Sequence, residues 1–67
     1  MGDQAVRAFQ VSAKAAPDDP QYHYHLGLAY LKAGKARQAA EELRLAIKLQ
    51  PDFRLAQLAL ETLEKKP

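Results

Sequence analysis

The segment from Pro20 to Phe53 most constrains the fold, because small and apolar residues recur in it at helical spacing. Gly27 lies within a stretch of good helix formers, where a glycine costs roughly 1 kcal/mol relative to alanine. A glycine at this position is explained if a second backbone packs closely against it, because a side chain would prevent that approach. Ala39, in the following stretch, is a small counterpart. We therefore predict two closely packed helices whose facing residues are His23, Leu26, Gly27, Tyr30, Ala39, Leu43, Ala46 and, at the end, Pro51.

Proline, glycine and aspartate mark the ends of four predicted helices. Asp19 precedes a proline, which is the pattern of an N-cap followed by proline at the first helical position. Gly34 can supply the left-handed residue that ends this helix, and Pro51 stops the next one. We expect Asp3 to cap the first helix and Asp52 the last. No alternation of period two is present, so no strand is predicted. The predicted helices cover 3–16, 20–33, 36–49 and 53–65.

The first part of the chain repeats the later part at a distance of one repeat length. When it is shifted by that length, Ala5 aligns with Ala39 and Phe9 with Leu43. The first helix therefore corresponds to the second helix of a repeat. The chain is predicted to be a single domain, 1–67, with a partial repeat at 3–16, a full repeat at 20–53 and a capping helix at 53–65.

This pattern resembles the tetratricopeptide repeat (TPR) family, which is written W-x2-L-G-x2-Y, then A-x3-F, then P, on a period of about 34 residues. His23 stands where the family usually has Trp, Leu43 replaces Phe, and Ala36 stands where an aromatic residue is common. The resemblance implies an all-α fold of four helices. In it, antiparallel helix–turn–helix repeats stack in a right-handed superhelical (α-α solenoid) arrangement. It also implies a scaffold for protein binding, without catalysis. The matching residues are Leu26, Gly27, Tyr30, Ala39, Ala46 and Pro51.

The same resemblance implies that the first helices of successive repeats line a concave groove. At 100° per residue, the groove side of the helix that starts at Pro20 lies well over a quarter turn from the side that carries His23 and Tyr30. This helix is therefore apolar on two sides, which is more than one partner helix requires. Either Leu28 and Leu31 pack against the last helix, or they help to bind a peptide or helix of another protein. The candidate groove residues are Gln21, Tyr24, Leu28, Leu31, Lys32, Leu55 and Leu58.

Many members of the family bind acidic C-terminal peptides through a clamp of Lys, Arg and Asn in this groove. At the comparable positions here, His25 is the one residue that can carry a positive charge. We therefore expect a protein or peptide partner that is held without such a clamp.

The two ends of the chain differ. Glu61 stands where Gly27 stood, so the last helix is expected to be a solvated cap of the kind that repeat arrays require. The first helix lacks a preceding partner helix, so we expect Val6, Phe9 and Ala13 to form an uncovered apolar strip. Preceding repeats of a longer array, or a second copy in a homodimer, would cover it. The alternative function is therefore a structural capping or oligomerisation fragment of a longer TPR array, which assembles through the exposed face of the N-terminal helix.

Composition argues against other classes of partner. The 10 basic and 8 acidic residues leave a net charge of +2, and the basic residues are scattered. This distribution does not indicate nucleic-acid binding. No stretch approaches the ~20 apolar residues of a membrane span, and no signal peptide is visible, so no membrane partner is expected and the cytoplasm is favoured.

The residues that carry chemistry in enzymes do not form a recognisable site in the sequence. His23 and His25 lie two apart, so on a helix they point to different faces and cannot share a metal. Ser12 and Thr62 have no positioned histidine and acid beside them. The adjacent Glu41 and Glu42 are ascribed to a solvated face. We therefore expect no enzyme, no cofactor and no metal.

Overall fold

The computed structural model describes residues 2–65 and contains four α-helices. Helix α1 spans Gly2–Ala15, α2 spans Pro20–Lys32, α3 spans Ala36–Leu49 and α4 spans Arg54–Lys65. No strand occurs in this part of the chain, so the all-α prediction is confirmed, with helix ends within about two residues of their predicted positions. The predicted domain 1–67 also includes Met1, Lys66 and Pro67, which lie outside the described residues. None of the described helices is both long and apolar enough to cross a membrane.

Two predicted turn residues act as expected. The carboxylate of Asp19 accepts a hydrogen bond from the backbone N–H of Gln21 at 3.0 Å, which caps the N-terminus of α2. Gly34 follows α2 with a φ of 78°, a conformation that side chains disfavour. These two residues therefore set both ends of α2.

The two other predicted caps are wrong. Helix α1 begins at Gly2, so Asp3 lies inside its first turn, where its charge still interacts favourably with the helix dipole. Helix α4 begins at Arg54, so Phe53 rather than Asp52 precedes it. The Phe53 carbonyl accepts a hydrogen bond from the N–H of Gln57 at 3.1 Å, which places Phe53 at the cap position.

The chain reverses direction at each connection. At the start of α4, the Gln57 side chain donates a hydrogen bond to the carbonyl of Pro51, just after α3. At the end of α4, Glu64 accepts one from Arg44, about two turns before Pro51, at 2.9 Å. Later residues of α4 therefore contact earlier residues of α3, so the two helices are antiparallel. The contacts between α1 and α2, and between α2 and α3, follow the same antiparallel pattern.

Helices α2 and α4 lie side by side and run in the same direction. Near the start of both, the rings of Tyr24 and Phe53 are 5.0 Å apart. Near the end of both, Leu31 borders a depression together with Ala59 and Leu63. Helices α1 and α3 both line a second cleft over α2. The four helices thus form two layers, α1 with α3 and α2 with α4, and the Cα atoms span 31 × 27 × 14 Å.

Gly27 marks a close approach between α2 and α3. A Cβ atom on Gly27 would lie 3.0 Å from Cγ of Leu43 and 3.3 Å from the carbonyl oxygen of Ala39. Both neighbours are fully buried. The packing reason predicted for this glycine is therefore confirmed.

The apolar interior consists of two small clusters. The first joins α1 to α2 and the second joins α3 to α4, with partly buried side chains around each. In the first cluster the buried residues are Val6, Ala13, Leu26 and Ala29. In the second they are Leu43, Ala46, Phe53 and Ala56.

The expected uncovered strip on α1 is wrong. Val6 and Ala13 are buried in the first cluster, and Phe9 is half-buried against it. The reason is that α2 is apolar on more than one side, and one of these sides covers α1 without a preceding helix. The large apolar side chain that α1 leaves open is instead Val11.

Candidate functional site

Apolar side chains lie along α2 and along α4, and the two helices approach each other at Tyr24 and Phe53 and again where Leu31 and Ala59 line one depression. On α2, Tyr24, Leu28 and Leu31 follow the spacing i, i+4, i+7, so they share one face. On α4, Leu55 and Leu58 share a face with Ala59 and Thr62 by the same rule. We call the surface between these two faces the α2–α4 groove.

The groove is open to solvent along much of its length. Leu31 is 36% exposed, Leu55 is 58% exposed and Leu58 is 51% exposed. Leu28 is half-buried, whereas the polar candidates Gln21 and Lys32 are exposed. Leu28 therefore contributes more to packing than the three other leucines do.

One end of the groove deepens into a depression of about 530 Å³. Leu31 is the one sequence-predicted groove residue that lines it. The other lining residues are not among the candidate groove residues, although two of them continue the α4 stripe past Leu58 at helical spacing. They are Gly34, Ala36, Ala59, Thr62 and Leu63.

The other end of the groove is built from aromatic rings that touch in a row. Phe9 of α1 stacks on His25 at 5.5 Å with an interplanar angle of 19°. Tyr24 lies 5.4 Å from His25 and 5.0 Å from Phe53. The row joins α1, α2 and the cap of α4, and it holds Tyr24 against Phe53. Of the sequence-predicted groove residues, Tyr24 therefore packs within the fold and Leu31 lines the depression. The depression is not lined by the others, which are Gln21, Leu28, Lys32, Leu55 and Leu58.

A second, more polar cleft of about 640 Å³ lies between α1 and α3 above α2. Gln10 and Lys14 of α1 line it, together with Tyr30 of α2 and Glu42 of α3. The Gln10 amide donates a hydrogen bond to the Tyr30 hydroxyl at 2.9 Å. The cleft is therefore bordered by fixed polar groups, in contrast to the α2–α4 groove.

His23 lies at the base of this cleft and is only 6% exposed. Its Nδ1 is 2.9 Å from a carboxylate oxygen of Glu42, and its Nε2 is 2.8 Å from the carbonyl oxygen of Pro17. The interpretation of Glu42 as part of a solvated face is wrong, because this carboxylate turns inward to the histidine. A polar residue at a buried position needs a partner, and this requirement is the signal that could have indicated the pair.

The surroundings of His23 act on its pKa in both directions. Burial lowers the pKa. The hydrogen bonds with Glu42 and with the Pro17 carbonyl, and the negative charges of Glu42 and Asp19, outweigh burial and raise the pKa of His23 above its ordinary value of 6.5. The folded chain therefore favours the charged form of His23 more than the unfolded chain does.

Among the described residues, no three His, Asp or Glu side chains come close enough together to hold a metal ion. The Ser12 hydroxyl donates a hydrogen bond to the Ala8 carbonyl of its own helix at 3.2 Å. Thr62 lies on the apolar depression. The open apolar surface of the α2–α4 groove is therefore the candidate site. Searches of protein-family models, curated proteins and solved structures find no match to this chain.

Proposed function

We propose that this chain is a tetratricopeptide-type unit that binds a peptide or helix of a partner protein in the α2–α4 groove, without catalysis. The observation that carries this proposal is the exposure of three leucines, Leu31, Leu55 and Leu58, of which Leu31 lines an open depression. Contiguous apolar surface on a protein of this size is typical of an interaction site.

Three features support the tetratricopeptide-type assignment. The helices are short and reverse at tight turns, and Gly27 permits the close approach that the repeat pattern requires. Helices α2 and α4 lie side by side, as the first helices of successive repeats would. Stacking of further such units would generate the right-handed superhelix that the resemblance implies, with the groove on its concave side.

The exposed leucines give an estimate of the affinity available. Full burial of a leucine side chain contributes about 1.5–3 kcal/mol, and these three are already about half-buried. Covering them would therefore contribute roughly 2–4 kcal/mol before the cost of association. This amount suits a partner that adds contacts in the depression, such as the apolar face of an amphipathic helix.

A displayed library of random helical and extended peptides tests the proposal. Peptides selected on the wild-type chain are titrated against Leu31→Glu and Leu58→Glu. Leu45→Glu is the matched control, because Leu45 is 37% exposed on the other side of α3 from Leu43. We expect at least a tenfold loss of affinity for each groove variant, since a buried unpaired charge costs about 1.4 kcal/mol or more.

Equal loss of affinity in Leu45→Glu would place the binding surface elsewhere. Backbone amide shifts on peptide addition give a second readout. The proposal requires them to cluster at Leu28, Leu31 and Leu58, and shifts confined to α1 would contradict it.

Val11 favours a second candidate, assembly through α1 as a capping or oligomerisation fragment. It is 70% exposed on a helix whose other large apolar side chains pack against α2. Sedimentation at increasing concentration tests this candidate. Self-association that Val11→Lys abolishes and Leu45→Lys leaves unchanged would support it, and a monomer throughout would exclude the homodimer.

A further inference from the structure

His23 connects three parts of the fold through its two ring nitrogens. The ring belongs to α2, Glu42 belongs to α3, and Pro17 lies in the turn between α1 and α2. The distances of 2.9 and 2.8 Å are those of ordinary hydrogen bonds. The ring is shielded from solvent, so water does not readily replace either partner.

Both partners are acceptors, and this fact decides which form of the imidazole fits. A carboxylate and a backbone carbonyl accept hydrogen bonds and donate none. A neutral imidazole carries one N–H, so one of its nitrogens would direct a lone pair at an oxygen lone pair. The imidazolium carries two N–H groups and satisfies both partners at once.

We propose that the folded chain holds His23 as an imidazolium that fastens both α3 and the α1–α2 turn to α2, and that loss of its proton releases the turn. The molecule would then contain a proton-dependent fastening of α1 that is separate from the α2–α4 groove.

The charged and titratable groups around His23 come from every element packed against it. Glu42 faces it from α3 and Asp19 from the turn, and both favour the positive charge. Lys14 of α1 lines the same cleft and opposes that charge, and Tyr30 lines it from α2. Since Glu42 is in direct contact, the attraction is greater than the opposing effect, in agreement with the raised pKa of His23.

The turn is released before α3 because a carboxylate is a stronger acceptor than a carbonyl. After deprotonation the remaining proton stays on Nδ1, toward Glu42, and the Pro17 carbonyl loses its donor. Helix α3 is also held by the contact of Leu43 with Gly27, which does not depend on pH. We therefore expect the start of α2 and the end of α1 to loosen while α3 stays in place.

The direction of the pH dependence follows from the raised pKa. The unfolded chain has a histidine pKa near 6.5, and the folded chain has a higher one. The stability that His23 contributes is therefore fully present below about pH 6.5 and is lost as pH rises through the folded-state value.

The ¹⁵N chemical shifts of the histidine ring nitrogens in the wild-type chain test the proposal directly. The same ring in the chain unfolded by denaturant serves as the comparison. We expect His23 to keep both ring N–H groups to a higher pH in the folded chain than in the unfolded one, and then to become the Nδ1–H tautomer. Titration of His23 in the folded chain at or below its value in the unfolded chain, or a neutral Nε2–H tautomer, would overturn the proposal.

Hydrogen exchange, corrected for the intrinsic effect of pH, gives the structural consequence. Across the titration of His23, exchange at the end of α1 should rise about fivefold, the effect of one ordinary intramolecular hydrogen bond, and α3 should stay unchanged. A rise of equal size in α3 would contradict release of the turn.

Three variants separate a proton-dependent role from simple packing. Glu42→Gln should lower the pH at which the His23 ring titrates, because the carboxylate charge is lost. His23→Gln should remove the difference in exchange between about pH 6 and pH 9, while His25→Gln should keep it. If His23→Gln does not fold, the wild-type ring shifts and Glu42→Gln decide the matter on their own.

Discussion

Gly27 and Leu43 show how one contact fixes the distance between α2 and α3. The glycine has no side chain, and Leu43 occupies the space where a methyl group would be. Leu43 is fully buried and Ala39 presents its backbone, so neither neighbour can move aside easily. The helical preference for alanine and the lack of space therefore act against each other at this position.

We expect Gly27→Ala to destabilise the chain by up to about 2 kcal/mol. Overpacking of a core costs about 1–3 kcal/mol, and the gain in helix propensity offsets up to roughly 1 kcal/mol of it. Denaturant unfolding followed by circular dichroism measures the change. Comparison of Gln38→Ala with Gln38→Gly, at an exposed position of α3, gives the propensity effect alone. If Gly27→Ala stabilised the chain as much as alanine does relative to glycine at Gln38, Leu43 would not restrict this site.

The pairing of His23 with Glu42 could not be read from the sequence as easily as the glycine contact. The spacing of Leu26, Gly27 and Tyr30 indicates a packed face, but it does not say how α3 is rotated about its axis. That rotation decides whether Glu42 faces water or the histidine. A residue-type pattern predicts which positions are small or apolar, and the polar partners follow only from the packed geometry.

At the scale of elements, α2 is the helix whose two ends are most clearly defined by side-chain chemistry. Asp19 satisfies a backbone N–H at its start, and Gly34 takes the left-handed conformation after its end. Asp19 also lies in the turn between α1 and α2, and Gly34 lies in the turn between α2 and α3. Their replacement therefore tests the connections as well as the helix.

We expect Asp19→Ala to cost about 1 kcal/mol, because it removes the N-cap hydrogen bond to Gln21. Thermal unfolding at a fixed pH measures the loss. Asp18→Ala is the matched control, since Asp18 is an adjacent, exposed aspartate of the same charge. Asp19→Asn should retain most of the stability, because asparagine also caps helices. A similar loss in Asp18→Ala would assign the effect to charge instead of the cap.

We expect L-alanine at Gly34 to destabilise the chain by roughly 1–2 kcal/mol, because of the positive φ. A Cβ atom there would meet nothing within 4 Å, so the cost is conformational and not steric crowding by neighbours. D-alanine, introduced by chemical synthesis, favours positive φ and should stabilise the chain relative to glycine. Destabilisation by both alanines would contradict this explanation.

The helix ends were largely predictable, because caps and breakers act locally. The predicted start of α4 was wrong by one residue. Asp52 is a residue type that often caps helices, but the burial of Phe53 in the second cluster places Phe53 at the cap position. The burial of Val6 and Ala13 was missed because the resemblance suggested a preceding helix that would be needed to cover them. Local signals therefore gave the elements, whereas the covering of their faces depended on tertiary packing.

At the scale of the whole molecule, α2 and α3 form the centre and α1 and α4 form the flanks. The centre contacts neighbours on both sides, whereas α4 has one fully buried residue, Ala56. Its ion pair with Arg44 is exposed, and such pairs contribute about 0–1 kcal/mol. Helices α2 and α3 are therefore expected to be more stable than α4.

We expect native-state hydrogen exchange to show this order. Amides of α2 and α3 should exchange with the free energy of global unfolding, and those in the last two turns of α4 with a smaller one. Glu64→Gln weakens the pair with Arg44. It should lower the opening free energy of the α4 amides by less than about 1 kcal/mol and leave that of the α2 amides unchanged. Uniform protection across all four helices would instead indicate a single cooperative unit.

The two apolar clusters have a consequence for how this sequence can change over evolutionary time. They share no buried residue, so we expect most substitutions in the first cluster to leave unchanged which residues the second one tolerates. Two links are exceptions: Leu43 belongs to the second cluster and also contacts Gly27, and the row of aromatic rings joins Phe9 to Phe53. Away from these links the outer helices can diverge independently, while Gly27, Ala39 and Leu43 are constrained to change together.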